Sequence, residues 1–273
     1  MKKVAIITGS TRGIGKGIAM QLAQSHYQVV INGTKQVLID EVVQAVHKAG
    51  GEAIGYLADV ADPSGVTKMV DAVIAQFGHI DVLIHNAGNL HDQKCLRMTD
   101  EEWQSVIDVH LNGAFYSIQR VLPHMQENGG DILLMTSTAG LGGSIGQVNY
   151  SAAKAGMLGM MWTLAAELKR NHIRVNAISP AALTDMTRPV IEHIKKKYTS
   201  KNEPFPEFWE VGEADDVARF VVTLLAQEDT DLTGEIFGIN GSEVTKWQKP
   251  VPAFSENSID AFFTTWQSQK GSE

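Results

Sequence analysis

The 273-residue sequence has a single cysteine, Cys95. One thiol excludes an internal disulfide framework and any cysteine-built metal cluster, which suits a reducing compartment. Cys95 itself reads as a small, inert hydrophobe. Long apolar runs are also missing: no window approaches the roughly 20 apolar residues of a membrane span. The opening "MKKVAIITGS" breaks at Thr8-Gly9, too early for a signal-peptide core, and reads as a strand. Positive charge is scarce, with 23 Lys and Arg against 31 Asp and Glu and a net charge of -8. Apart from Lys195, Lys196 and Lys197 the basic residues are scattered, so there is no footprint for nucleic acid. These absences predict a soluble, cytoplasmic protein that engages neither nucleic acid nor membrane and holds no metal. Internal repeats and low-complexity stretches are lacking too.

What is present is 44% apolar residues, enough to bury one large core. Seven short runs read as strands: residues 4–8, 29–32, 53–57, 82–85, 132–135, 174–178 and 235–239. Between them lie helical patterns such as 15–25, 37–49 and 63–77, with apolar residues three and four apart. Such alternation predicts an α/β fold: a doubly wound, seven-stranded parallel sheet with helices on both faces. A single domain over residues 1–245 is expected. Within it, residues 185–210 hold three prolines and four aromatics after a strand's carboxyl end and read as a lid. Beyond it, the extension 246–273 carries Trp247, Phe254, Phe262, Phe263 and Trp266, too apolar a set for a disordered end. Those aromatics would pack on the domain or on a neighbouring subunit, or cover the active site.

The first strand runs directly into "GSTRGIG" and then a helix, with Gly9, Gly13 and Gly15 interleaved by Ser10, Thr11, Arg12 and Ile14. Glycines let the backbone turn tightly and approach a pyrophosphate, while amides at a helix N-terminus offer it partial positive charge. The strand–loop–helix placement makes this a dinucleotide-binding signature. A chain selecting NAD usually ends its second strand with an acid for the ribose 2′-hydroxyl. Here the segment reads "VVINGTKQ", and no carboxylate occurs before Asp40. Thr34, Lys35 and Arg12 instead suit a 2′-phosphate, so NADP is expected over NAD. Plain surface solvation is the other reading of Lys35 and Arg12.

In "NYSAAKAG", Tyr150 and Lys154 stand four apart and share one helical face. A free tyrosine titrates near 10, but an adjacent ammonium favours the phenolate and is expected to lower that value. Ser137 closes the fifth strand in "LLMTSTAG", at the sheet edge where open α/β folds bind ligands. Each residue alone has a structural reading as buried ring, surface charge or cap. Together, behind a dinucleotide loop, they form a proton-transfer set.

At this point the chain resembles the short-chain dehydrogenase/reductase family. The likeness runs from Val4 to about Val244 through "TGSTRGIG" (8–15), "DV" (59–60), "NAG" (86–88), Ser137, "YSAAK" (150–154) and "RVNAISP" (174–180). The resemblance implies that Tyr150 transfers the proton, Lys154 also holds the nicotinamide ribose, and Ser137 orients the substrate carbonyl. It further implies that Asp59 and Val60 contact adenine, that Asn86, Ala87 and Gly88 line the cleft, and that Pro180 and Thr184 reach the nicotinamide.

Three departures stand out. His110 occupies the family's usual catalytic asparagine position, either holding a relay water or packing as a helix histidine. His85 replaces the first asparagine of the usual "NNAG", and Ala181 the glycine after Pro180.

The resemblance leans toward the branch acting on 3-oxoacyl and 3-hydroxyacyl thioesters, which makes the substrate a carbonyl or alcohol, an acyl-CoA among the candidates, with Lys195 to Lys197 available for coenzyme A phosphates or simply solvated. Asn128 and Asn171 are neutral where carrier-dependent reductases tend to be basic. A sugar, polyol, quinone or small ketone suits Phe205, Phe208 and Trp209 equally well. A non-catalytic NADP(H) sensor is the alternative outside catalysis. The family also implies a homodimer or homotetramer built on helices 100–126 and 150–170.

Overall fold

The computed structural model describes residues 1–185 and 187–269. Nine strands occur among them: β1 (Val4–Ile7), β2 (Gln28–Gly33), β3 (Glu52–Leu57), β4 (Val82–His85), β5 (Gly130–Met135), β6 (Ile173–Leu183), β7 (Gly212–Glu213), β8 (Ile236–Asn240) and β9 (Glu243–Trp247). The sheet order is β3-β2-β1-β4-β5-β6-β8-β9, parallel throughout except for the antiparallel β8–β9 edge, while β7 pairs with the far end of β6. The seven parallel strands β1 to β6 and β8 are those read from the sequence; the two-residue parallel β7 is an addition to them. The antiparallel strand was not: β9 runs across the expected boundary at residue 245, so the extension begins inside the sheet. The β8–β9 loop is two residues long and starts with Gly241 at φ +58°, the left-handed conformation a tight hairpin needs there.

The helices are α1 (Gly13–Gln24), α2 (Gln36–Lys48), α3 (Pro63–Phe77), α4 (Asp100–Ile107), α5 (Gly113–Met125), α6 (Thr138–Gly142), α7 (Val148–Glu167), α8 (Arg188–Lys201), α9 (Ala214–Leu225) and α10 (Ile259–Gln269). Local chemistry sets their ends. Asp62 accepts from the amides of Ser64 and Gly65 ahead of α3, and Thr99 with Glu102 forms a capping box on α4. Alternate strand residues feed two cores. Ile6, Val30, Leu83 and Leu134 pack with buried residues of α3, α5 and α7, while Ile7, Val29, Ile31 and Leu133 pack with those of α1, α2 and α9. Burial on both faces explains why these strands read as continuous apolar runs. In α10 no residue is buried, and Phe254, Phe262, Phe263 and Trp266 form a chain of ring contacts with one another.

Candidate active site

Strand order reverses between β1 and β4, and the crevice outside their carboxyl ends is where a doubly wound sheet receives ligands. A cleft of about 440 Å³ lies there. Gly9, Thr11, Arg12, Gly13 and Ile14 form part of its wall, together with Thr34, Asp59, Val60, Asn86, Ala87 and Gly88. Tyr150, Lys154, His110, Pro180 and Thr184 complete the lining.

Four sequence-selected residues are not part of that wall. Ser10 is fully buried, its hydroxyl donating to the Ile7 carbonyl at 2.7 Å and accepting from the Asn32 amide at 3.0 Å, so it ties β1 to β2. Gly15 abuts Asn86 and the Gly9 carbonyl too closely for any side chain. Lys35 is exposed at the start of α2. Ser137 lies beside the cleft, capping α6 by accepting from the Ala139 amide at 3.2 Å.

The glycine loop fits a dinucleotide. Gly9 has φ +61°, and a Cβ there would stand 2.7 Å from the Ala87 backbone, so only glycine lets β1 and β4 close up at this point. Arg12 precedes α1 without capping it and the first turn has no acid, which leaves the helix amides free to meet a phosphate. Sequence reasoning missed Asn32, which organises this loop. Its side chain accepts from the Gly9 amide at 3.3 Å and donates to the carbonyl of Ala58 at 3.0 Å. A polar residue closing the run "VVIN" was the available signal.

Tyr150 and Lys154 share a face of α7, with the ammonium nitrogen 5.5 Å from the ring centroid. The Ser137 hydroxyl favours the Tyr150 phenolate. Lys154 is buried, donates to the Met135 carbonyl at 2.5 Å and lies 3.7 Å from the Met157 sulfur. Burial pulls its pKa down to about 7. Burial also pushes the Tyr150 phenol up, with the Ser137 hydroxyl opposing and Asp92 reinforcing the rise. This corrects the expected lowering: removal of water from the phenol is the largest influence on it, and it disfavours the phenolate.

His110 lies in a π-helical turn, Asp108–Asn112, inserted between α4 and α5. Its Nε2 meets both backbone groups of Asn89, the N–H at 3.1 Å and the carbonyl at 2.8 Å, while its buried Nδ1 has no partner among the described residues. Burial, and then the Lys154 charge, hold its pKa well below the ordinary value. His85, at the end of β4, is fully buried and pulled down to about 3, chiefly by desolvation. Thr8 Oγ1 accepts from the amides of Asn86 and Ala87, each at 3.0 Å, so its own proton goes to His85 Nδ1 at 3.3 Å. Neutral His85 therefore carries its hydrogen on Nε2.

A family model described as short chain dehydrogenase matches residues 3–195. The chain belongs to that family. Among its relatives, the 3-oxoacyl-[acyl-carrier-protein] reductase FabG of Staphylococcus epidermidis is 38% identical over 245 residues, covering 88% of this chain and 98% of its own. The same-named enzyme of Thermotoga maritima is 35% identical over 244 residues, covering 89% and 98%. A solved short chain dehydrogenase from Mycobacterium avium superposes with a TM-score of 0.81 at 29% identity, covering 98% of this chain and 94% of that one. The protein is thus an oxidoreductase that uses a nicotinamide cofactor and acts on C=O or CH–OH groups. No helix among the described residues is long and apolar enough to cross a membrane.

Proposed function

We propose that this chain reduces 3-oxoacyl thioesters to 3-hydroxyacyl thioesters with NADPH, as a cytoplasmic homo-oligomer. The observation that carries the reading is Tyr150 with buried Lys154 on one face of α7, lining the cleft behind the glycine loop, with Ser137 at the start of α6 beside it. The names of the relatives support the thioester. For the cofactor, Arg12 and Thr34 line the cleft where a 2′-phosphate would lie. Asp40, the first carboxylate after β2, sits exposed on α2 and accepts from Gln36 at 2.7 Å. An apolar groove lined by Phe115, Ile118, Leu122, Met160 and Leu164 on α5 and α7 supports pairing through those helices.

The cofactor, when bound, supplies the hydride. Ser137 donates a hydrogen bond to the substrate carbonyl oxygen and holds it for protonation. Tyr150 gives its phenolic proton to that oxygen as it becomes the alcohol, and Lys154 returns a proton to the phenolate. Lys154 also binds the nicotinamide ribose, and His110 positions the Tyr150 ring from the side. The adenine contacts of Asp59 and Val60, the cleft contacts of Asn86 to Gly88, and the nicotinamide contacts of Pro180 and Thr184 belong to the same reading. The test is absorbance of NADPH and of NADH with acetoacetyl-CoA. A kcat/KM at least tenfold higher with NADPH is expected. Turnover confined to small ketones or polyols would replace the thioester, and cofactor binding without turnover of any carbonyl would leave a sensor.

A further inference from the structure

Charge is segregated in this molecule. Helix α8 carries Arg188, Lys195, Lys196, Lys197 and Lys201 against one acid, Glu192, a net +4 in a chain of net -8. The remainder of the chain therefore stands at -12. No residue of α8 is buried, and among the described residues none of its five cations has a carboxylate within 4.0 Å. A solvated helix of an acidic protein has no need of such a set.

The helix is fixed at the mouth of the cleft. Thr184 and Asp185 belong to the cleft wall, and α8 starts three residues later. The Thr187 hydroxyl accepts from the Thr184 amide at 2.9 Å and donates to the Ala182 carbonyl at 2.8 Å, pinning the first turn to the end of β6. On the helix surface Lys195 and Lys196, with Glu192, Thr199 and Ser200, line a shallow depression of about 370 Å³. The Thr199 and Ser200 hydroxyls donate to backbone carbonyls of their own helix, so the ammonium groups are the donors this surface offers outward.

We propose that the lysines of α8 bind the phosphate groups of the pantetheine arm that carries the acyl group, so that the lid reads the handle of the substrate and not its reacting end. This rests on the thioester reading above. Coenzyme A and a phosphopantetheine-bearing carrier protein share that chemistry, and the deciding experiment separates them.

Wild type is compared with the triple charge reversal Lys195→Glu, Lys196→Glu, Lys197→Glu, all at exposed positions. The substrates are acetoacetyl-CoA, an acetoacetyl carrier protein and the phosphate-free acetoacetyl-N-acetylcysteamine. The expected result is that kcat/KM for a phosphate-bearing thioester falls about tenfold further than for the neutral one, with a weaker dependence on salt. Whichever phosphate-bearing substrate shows the loss is the source. Equal effects on all three, or no effect on any, would overturn the proposal. If no thioester is turned over, the thioester reading fails, and calorimetric binding of coenzyme A itself decides: tighter binding by wild type upholds the phosphate site, and equal or absent binding overturns it.

Discussion

His110 meets Tyr150 edge to face, with ring centroids 5.2 Å apart and planes at 89°. The contact depends on Gly88, where an added Cβ would collide with the imidazole. Gly88→Ala is therefore expected to cost about 1–3 kcal/mol and to lower kcat. His110→Asn should relieve it, because the smaller side chain leaves room for the methyl group. A double-mutant cycle on unfolding free energy checks this, and additive costs would show that the two positions do not communicate.

Thr8 Oγ1 is the acceptor for two backbone amides, so Thr8→Val strands both. At about 1–3 kcal/mol for each buried unpaired group, a loss of several kcal/mol is expected. Thr8→Ser keeps the hydroxyl and should restore most of it. Chemical denaturation of both variants measures the difference.

Lys154 has a pKa of about 7 in the fold against an ordinary value of 10.5. A lysine depressed in this way penalises the folded state fully below pH 7. Between about pH 7 and 10.5 the unfolded chain binds more protons, so the penalty fades as pH rises. Lys154→Met should accordingly raise the melting temperature of the ligand-free protein at pH 6 by several degrees while abolishing turnover, and its advantage should shrink toward pH 10. Thermal melts across that range test the sign. A stabilisation that grew with pH would contradict it.

Arg12 lies in the cleft wall, whereas Lys35 stands outside it. Arg12→Ala should raise KM for NADPH about tenfold with little change for NADH, as loss of a charge-assisted phosphate contact requires. Lys35→Ala should have a smaller effect. Initial-rate kinetics with both cofactors separate the two.

Much of the fold was legible because strands buried on both faces leave continuous β-branched runs, as in Val4–Ile7 and Val29–Ile31. Strand β9 escaped because "EVTKW" is exposed along its whole length and carries no burial pattern, although the Gly241-Ser242 pair was a hairpin signal. In the site, the glycine loop and the Tyr150–Lys154 spacing were readable as local features. The direction of the Tyr150 pKa was not, since it depends on how completely the fold removes water from both groups. Nor was the inward turn of Ser10, which is decided by its partner Asn32 across two strands. Helix periodicity over residues 100–126 likewise concealed the π-turn, because one extra residue per turn shifts a face without breaking the apolar pattern. The expectation for Phe208 as a pocket residue falls on a side chain outside the described residues, as do Met186 of the lid and residues 270–273 of the extension.

The most direct measurement follows NADPH absorbance with acetoacetyl-CoA for wild type and Tyr150→Phe, with NADPH binding to each variant measured in parallel. The account predicts steady oxidation by wild type and a loss of at least 100-fold in kcat for Tyr150→Phe, about the minimum for a positioned proton donor, at undiminished cofactor affinity. Retained turnover in Tyr150→Phe would contradict the assignment of the proton to this residue.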